Sequence, residues 1–300
     1  MKFSTKSTRR EAPVRMVIYG PGGIGKSTLA SQAPSPIFLA SEEGLENIEA
    51  EAIEPYPKTW EDVIAALAYA ETLDNETIVI DSLDWIEPLC WEYVVRSAKS
   101  PKIRSIEDFG YGKGYVAALD QWRVFLHKLS ALRASGKNVI LIAHAVRRAF
   151  KNPLGDDYEH YTIKLHEKAT GLIVEWVDVV GFAQEDVSTE DTSGRVKAQT
   201  TGRRVIRTQP HPAYLAKTRF ALPAKIPLSW ASFSEAVRNG GPAAIERLKA
   251  DFEARVRELA NDEVEKGARA FLRAQGTTVA SLTEAIATLD SYVAERKKAS

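Results

Sequence analysis

Disulfides, membrane spans and a secretion signal are all missing from this sequence. Its 300 residues contain one cysteine, Cys90, which excludes an internal disulfide framework and fits a reducing compartment. Because Cys90 lies in an apolar stretch, we expect a buried thiol and not a nucleophile. No apolar run approaches membrane-spanning length, and residues 1–10 lack the apolar core of a signal peptide. We therefore expect a cytoplasmic protein with no membrane partner.

Charge of one sign is scarce in two long stretches, although the formal net charge is zero. Between Ser27 and Val95 the one basic residue is Lys58, amid many acids. From Thr192 to Ser234 there is no acid. The basic residues of that second stretch are Arg195, Lys197, Arg203, Arg204, Arg207, Lys217, Arg219 and Lys225. This asymmetry is typical of a basic binding surface, and equally of a solvated strand face compensated by neighbours in space.

The chain does carry a complete sequence pattern of a phosphate-binding loop, or P-loop. Residues 20–27, GPGGIGKS, fit G-x-x-x-x-G-K-[ST] at every fixed position. A β-rich apolar run precedes them, and residues 28–33 can open a helix, so backbone N–H groups and the helix dipole would converge on one anion. Lys26 is expected to reach the β- and γ-phosphates and Ser27 to bind Mg²⁺. The candidate nucleotide-binding residues are Gly20, Pro21, Gly22, Gly23, Ile24, Gly25, Lys26, Ser27 and Thr28.

Continuously apolar strands alternate with amphipathic helices through the first half of the chain. The expected strands are 14–19, 37–40, 77–80 and 138–143, and the expected helices are 28–33, 60–73, 85–98 and 116–134. This alternation predicts an α/β fold with a mainly parallel sheet flanked by helices. Thr59 is a plausible N-cap and Gly136 a plausible C-terminal stop.

The second half is less regular. We expect a helix at 166–177 and short strands at 179–183, 195–200 and 203–207, with Thr201-Gly202 as a hairpin turn between the last two. From about residue 233 the pattern becomes helical. The predicted organisation is a polar arm at 1–12, an ATPase core at 13–230 and a small helical appendage at 231–300.

Polar residues that close apolar strands are the candidate catalytic groups. Asp81 ends the run 78–80, where a carboxylate can reach Mg²⁺ bound at Ser27; the alternative is a helix N-cap. Glu42 and Glu43 follow the strand that we expect to neighbour the P-loop strand, and either can polarise the attacking water or be a helix-start acid. His144 closes the fourth strand, on the ligand side of such sheets, and is a candidate phosphate sensor.

The order of these parts resembles the RecA-type ATPase core. The residues that carry the resemblance are the P-loop, IFLASEEGLENI, IVIDS and NVILIAH, and with HPAYLAKTRFALP the chain is similar over about 12–228 to phage-encoded RecA-like ATP-binding proteins. Members of that group have been linked to single-strand annealing and recombination.

The resemblance implies a role for each matching position. It makes Glu42 the catalytic glutamate, Ser27 and Asp81 the magnesium ligands, and His144 the sensor that couples nucleotide state to a DNA-contacting loop. It makes Lys217 and Arg219 fingers that reach a neighbouring subunit's γ-phosphate. The sensor is His where bacterial recombinases have Gln, and no recombinase N-terminal domain is recognisable, so strand exchange does not follow.

Two segments combine basic and aromatic residues, as single-stranded nucleic acid requires. They are 96–115, with Lys99, Lys102, Arg104, Phe109, Tyr111, Lys113 and Tyr115, and 147–151, with Arg147, Arg148, Phe150 and Lys151. The alternative for both is a solvated loop whose aromatic rings pack into the core.

These observations predict a Mg²⁺-dependent RecA-like ATPase that binds ATP and single-stranded DNA and acts in phage recombination or annealing, in the host cytoplasm. We expect a homo-oligomer with shared active sites, and the resemblance implies a single-strand binding protein as a further partner. One alternative is a replicative motor or helicase loader of the same fold. Another is a P-loop small-molecule kinase, although no arginine-rich lid segment is found. A small GTPase is disfavoured because N-K-x-D is missing.

Overall fold

The computed structural model describes residues 12–41, 44–153, 155–192, 195–240, 242–259 and 261–299. The strands of these residues are β1 (Arg15–Gly20), β2 (Pro36–Ala40), β3 (Glu51–Ala52), β4 (Thr77–Asp81), β5 (Asn138–Phe150), β6 (Tyr158–Ile163), β7 (Val179–Thr192), β8 (Arg195–Arg207), β9 (Lys217–Thr218) and β10 (Lys225–Pro227). The helices are α1 (Lys26–Ser31), α2 (Trp60–Ala70), α3 (Leu83–Ser97), α4 (Lys113–Ala134), α5 (Glu167–Trp176), α6 (Trp230–Gly240), α7 (Pro242–Leu259), α8 (Asp262–Gln275) and α9 (Val279–Ala299), with a 3₁₀ turn at Ile106–Phe109.

The strands form one sheet whose centre is parallel, in the order β10-β8-β7-β1-β5-β4-β2-β3. From β3 to β7 every neighbouring pair is parallel, whereas β8 and β10 are antiparallel additions at one side. Two short strands branch from the sheet, β6 beside β5 and β9 beside β7. The predicted α/β fold with a mainly parallel sheet flanked by helices is therefore confirmed.

One expectation about strand order is wrong. The strand that precedes Glu42, β2, does not neighbour the P-loop strand β1, because β5 and β4 lie between them. β1 pairs instead with β5 and β7. Strand order depends on contacts between distant parts of the chain, which local patterns do not report. Glu42 and Glu43 themselves lie outside the described residues.

The parallel strands are buried on both faces, which explains why they read as continuous apolar runs. On one face Val17 and Tyr19 join a core with side chains of α2 to α5, and on the other Met16 and Ile18 are equally inaccessible to solvent. Thr59 caps α2 as predicted, in a reciprocal capping box with Asp62. The thiol of Cys90 is buried in α3, as expected, and burial raises its pKa above the ordinary range.

The region beyond His144 differs from the sequence expectation in two ways. β5 does not end at residue 143 but continues to Phe150 and pairs antiparallel with β6. Residues 195–207 form one strand, so Thr201-Gly202 is not a hairpin turn; it lies in a bulge, between the pairs Glu185–Arg204 and Val187–Thr200. Gly202 has φ 69°, which suits glycine, and two extra residues on β8 are accommodated there.

The connection between the helices predicted at 85–98 and 116–134 is shorter than expected. α3 ends at Ser97, close to the prediction, but α4 already begins at Lys113, so Lys113 and Tyr115 belong to a helix. The connection between them contains the 3₁₀ turn, and Gly114 packs so closely on it that a Cβ would lie 2.2 Å from the Ile106 carbonyl oxygen.

The described chain divides into two compact units. Ala12–Thr218 with Pro223–Phe233 contains the sheet, and a helical unit contains Arg219–Leu222 and the residues from Ser234 onward. The helical unit has its own core, formed by Phe252, Val256, Leu259, Leu282, Ala285 and Leu289. None of the helices within the described residues has the length and apolar character needed to cross a membrane.

The contact at Gly114 predicts a measurable contrast between two helical glycines. Gly114→Ala should lower the free energy of unfolding by roughly 1–3 kcal/mol, because the added methyl group collides with the main chain at Ile106. Gly171→Ala, in α5 with nothing near its Cβ position, should raise it by about 0.5–1 kcal/mol. Chemical denaturation of both variants is the measurement, and equal effects at the two positions would contradict the packing described.

Candidate functional site

The glycine-rich loop connects β1 to α1 at the carboxyl edge of the sheet. β1 ends at Gly20, where a Cβ would lie 2.3 Å from the carbonyl oxygen of Ala183, so only glycine fits beside β7. Gly23 and Gly25 have φ of 73° and 104°, left-handed conformations that favour glycine. The shape of the loop therefore depends on positions that favour glycine over any residue with a side chain.

Lys26 is buried within this loop. Its Nζ donates hydrogen bonds to the carbonyl oxygens of Gly20, at 3.2 Å, and Pro21, at 2.9 Å. Burial lowers the pKa of Lys26, and the nearby carboxylates of Asp81 and Asp84 oppose that shift. The ammonium is thus positioned at the loop by main-chain carbonyls, which an anion can replace.

A cavity of about 270 Å³ opens beside the loop. It is lined by Gly23, Gly25, Lys26, Ser27, Thr28, Ala40, Gly44, Leu45, Ile48, Asp81, His144 and Arg204. These residues come from the glycine-rich loop and α1, from the end of β2 and the segment that follows it, from the end of β4, from the middle of β5 and from the distant strand β8. Three predicted site residues from separate parts of the chain, Ser27, Asp81 and His144, thus share one cavity.

The side chains of Ser27 and Asp81 are in direct contact. Ser27 Oγ donates a hydrogen bond of 2.5 Å to Asp81 Oδ2. Burial raises the pKa of Asp81, while this hydrogen bond and the charge of Lys26 oppose the shift. Ser41, at the end of β2, donates its hydroxyl to the Asp81 carbonyl oxygen at 3.1 Å. The ends of β2 and β4 and the start of α1 are therefore connected by polar contacts.

The oxygen donors of Ser27 and Asp81 fit a hard divalent cation such as Mg²⁺. Within the described residues no cluster of three or more His, Cys, Asp or Glu side chains is placed to bind a metal. One hydroxyl and one carboxylate leave most coordination positions for phosphate oxygens and water, which is how Mg²⁺ usually enters nucleotide sites. The residues present thus fit a metal that binds together with a nucleotide.

His144 is oriented by Asp84, a residue that sequence reasoning missed. Asp84, in the first turn of α3, accepts hydrogen bonds from the His144 main-chain N–H and from Nδ1, both at 2.9 Å. Burial alone raises the pKa of Asp84, but these bonds bring it below its ordinary value. With Nδ1–H donated to a carboxylate, Nε2 is the ring atom left for the loop, and it lies 4.0 Å from the Cβ position of Gly22.

A second buried carboxylate, Glu87, lies one turn further along α3. Both of its oxygens accept the main-chain N–H of His166, which caps the start of α5, at 3.0 Å. Burial raises the pKa of Glu87 to about 7, although the His166 hydrogen bond and the charge of Arg148 oppose the shift. Glu87 therefore joins α3 to α5 behind the candidate sensor.

The candidate fingers, Lys217 and Arg219, are not among the residues that line the cavity. Lys217 Nζ donates hydrogen bonds to the carbonyl oxygens of Val174, at 2.5 Å, and Val177, at 3.2 Å, around the C-terminal end of α5. Such a cation is favourable at the negative end of a helix. Arg219 is exposed and belongs to the helical unit.

The basic and aromatic residues after His144 lie on the β5–β6 hairpin. Phe150 is 39% exposed and forms an aromatic group with Tyr158 and His160, at ring-centroid distances of 5.0 and 5.5 Å. Arg147 is exposed beside Glu159, whereas Arg148 donates to the Leu165 carbonyl oxygen. The hairpin therefore presents a ring and a cation to solvent directly downstream of His144.

Comparison with known proteins identifies a family. A family model described as an AAA domain matches residues 12–220. No curated protein matches the sequence.

Several solved structures are similar to this chain. The RadB recombinase is 15% identical, with 74% of this chain and 90% of that chain covered and a TM-score of 0.38. The flagellar accessory protein FlaH from Methanocaldococcus jannaschii is 14% identical, with 69% and 90% covered and a TM-score of 0.34. A KaiC-like protein from Pyrococcus horikoshii OT3 is 12% identical, with 72% and 85% covered and a TM-score of 0.36. These values assign no activity to the chain.

The buried state of Glu87 predicts a pH-dependent contribution to stability. Its folded pKa, about 7, is above the ordinary 4.5, so the contribution is fully present below about pH 4.5 and is lost as the pH rises through about 7. Glu87→Gln keeps an acceptor for His166 but cannot ionise. The difference in unfolding free energy between wild type and Glu87→Gln should therefore change by on the order of 3 kcal/mol between these limits.

Denaturation curves at a series of pH values give this difference directly. Glu92→Gln, which changes an exposed glutamate of the same helix, is the control for the loss of one carboxylate. A pH-dependent difference for Glu87→Gln no larger than that of the control would contradict the buried ionisation.

Proposed function

Given that this chain belongs to the AAA domain family, we propose that it is a Mg²⁺-dependent RecA-like ATPase that binds single-stranded DNA and acts in phage recombination or single-strand annealing. The observation that carries the nucleotide part of the proposal is the meeting of Lys26, Ser27 and Asp81 in one cavity. A buried lysine, a hydroxyl and a carboxylate beside glycine backbone are the groups that bind a nucleoside triphosphate and its metal.

The P-loop residues hold the triphosphate. Main-chain N–H groups of the loop donate to phosphate oxygens, and Lys26 exchanges its bonds to Gly20 and Pro21 for bonds to the β- and γ-phosphates. Ser27 and Asp81 would hold Mg²⁺, which when bound neutralises charge on the phosphate oxygens. The contact between Ser27 and Asp81 supports this assignment, because it brings the two oxygen donors to one place.

Glu42 is the proposed general base, with Glu43 as the alternative. The attacking water loses a proton to this carboxylate as its oxygen bonds to the γ-phosphorus and ADP leaves. The support is positional: the described chain reaches Ser41 at the carboxyl end of β2, directly beside Asp81. The next residue along the chain is Glu42.

His144 is the proposed sensor of the γ-phosphate. Asp84 holds one side of its ring, and the strand that carries it continues without interruption into the β5–β6 hairpin. A displacement of His144 by a phosphate is therefore transmitted along β5 to Arg147 and Phe150, the groups proposed to contact DNA. Cations follow the phosphates of a single strand and aromatic rings stack on its bases.

Lys217 and Arg219 are proposed as fingers that act on a neighbouring subunit in a homo-oligomer. Lys217 must first leave the carbonyl oxygens at the end of α5. A cation supplied in this way would make hydrolysis depend on assembly. A single-strand binding protein is a further proposed partner.

The nucleotide site predicts that Lys26→Ala lowers ATP turnover by at least about a hundredfold, since a cation that stabilises the transition state is lost. Steady-state phosphate release is the measurement, with thermal unfolding to verify that the variant is folded. Lys58→Ala removes an exposed lysine outside the cavity lining and should leave turnover unchanged. Wild-type turnover in the Lys26 variant would overturn the ATPase assignment.

The hairpin predicts that short single-stranded DNA stimulates ATP hydrolysis and binds less tightly as salt rises. Phe150→Ala should weaken DNA binding by about fivefold or more, because one stacking platform is removed. Tyr69→Ala, which removes an exposed ring on α2, is the matched control and should bind normally. A rate of ATP hydrolysis that does not change with any nucleic acid, together with phosphate transfer to a small acceptor, would favour the kinase alternative.

A further inference from the structure

Arg204, on β8, lies against the phosphate-binding loop. Its Nη1 is 3.3 Å from the point that a Cβ on Gly25 would occupy, and the side chain lines the cavity together with Lys26, Ser27 and Asp81. Gly25 directly precedes Lys26. A guanidinium from a strand outside the P-loop motif therefore stands at the site where the proposed function requires an anion.

The backbone around Arg204 is held from both sides. Its Cα pairs with that of Glu185 on β7, and its carbonyl oxygen accepts the Leu228 N–H at 3.0 Å, next to β10. The bulge that contains Thr201 and Gly202 immediately precedes it. Bulges change the direction in which a strand presents its side chains, and here the residue that follows the bulge is the one that reaches the cavity.

Carboxylate partners distinguish Arg207 and Lys225 from Arg204. Asp186 contacts Arg207 at 3.6 Å and Lys225 at 2.9 Å. Over the part of the chain that the structure describes, Arg204 forms no ion pair, although it lines the same cavity as the buried Lys26. A phosphate group bound in this cavity would give the guanidinium of Arg204 an anionic partner.

We propose that Arg204 binds the phosphate groups of the nucleotide in cis, as a second cation of the P-loop site supplied by the same chain. The inference rests on the proposed nucleotide site and assigns it a binding residue that the motif does not contain. A guanidinium offers several donors in a planar fork and binds phosphate in a bidentate manner, which suits this position better than a point charge. It differs in origin from Lys217 and Arg219, whose proposed target is a neighbouring subunit.

The test compares the binding of ATP and of inorganic tripolyphosphate by calorimetry in wild type, Arg204→Ala and Arg204→Lys. Arg204→Ala should weaken both ligands by about tenfold or more, because hydrogen bonds to a charged group are lost. Arg204→Lys should recover part of the loss. The control is Arg203→Ala, which removes the adjacent exposed arginine that does not line the cavity, and it should bind both ligands normally.

Three outcomes would overturn the inference in distinguishable ways. If wild type binds both ligands and Lys26→Ala loses them while Arg204→Ala binds normally, the inference fails and the nucleotide site stands. If Arg204→Ala loses affinity for ATP but not for tripolyphosphate, the guanidinium contacts the nucleoside and the phosphate assignment is wrong. If wild type binds neither ligand, the proposed function fails together with the inference.

Mixed subunits test whether the contact is made in cis. A site with a cis Arg204 needs Lys26 and Arg204 on one chain, so a mixture of Arg204→Ala and Lys26→Ala proteins should not regain ATP turnover. Recovery of turnover in that mixture would show that Arg204 acts on a neighbour, and the cis assignment would be wrong. A mixture of Lys217→Ala and Lys26→Ala proteins should regain ATP turnover if Lys217 acts on the active site of a neighbouring subunit.

Discussion

The parallel pairing of β1, β5 and β4 is the constraint on which the candidate site depends. In this order the P-loop, His144 and Asp81 lie at one edge of the parallel part of the sheet, with Gly20 opposite His144 and Asp81 opposite Ile142. β5 separates β1 from β4, so strand pairing alone does not bring Asp81 to the P-loop. The contact is made by Ser27, at the start of α1, whose hydroxyl reaches Asp81 Oδ2. The glycine at the end of β1, which admits β7 at close range, keeps that geometry.

The local parts of this arrangement could be predicted from sequence, because each depends on neighbouring residues. Apolar runs with a polar end indicate parallel strands buried on both faces, and Thr59 with Asp62 indicates a helix start. Strand order could not be predicted in this way: the same apolar run is compatible with any position in the sheet, and β2 was expected beside β1. The bulge in β8 was also read as a turn, since Thr-Gly suits either and only the partner strand decides between them.

Site residues outside motifs were missed for a related reason. Asp84 follows Asp81 by three residues and opens α3, so an acid in a helix's first turn has a sufficient local explanation in the helix dipole. Its contact with His144 depends on the packing of α3 beside β5. No local sequence pattern distinguishes Arg204, because Arg203 and Arg207 lie close to it in the chain. The roles of Glu42, Lys217 and Arg219 rest on the family resemblance and remain predictions.

Residues from the two stretches of uneven charge come together at the cavity. Asp81 and Asp84 come from the stretch that is poor in bases, and Arg204 comes from the stretch without acids; Lys26 lies just before the first. Part of the basic stretch is neutralised by Asp186, which binds Arg207 and Lys225, so compensation by neighbours in space accounts for those two. It does not account for Arg204. Arg204 forms no ion pair among the described residues and lines the same cavity as Lys26, so a phosphate group bound there would give its guanidinium an anionic partner, and on this ground we propose it as a phosphate-binding residue.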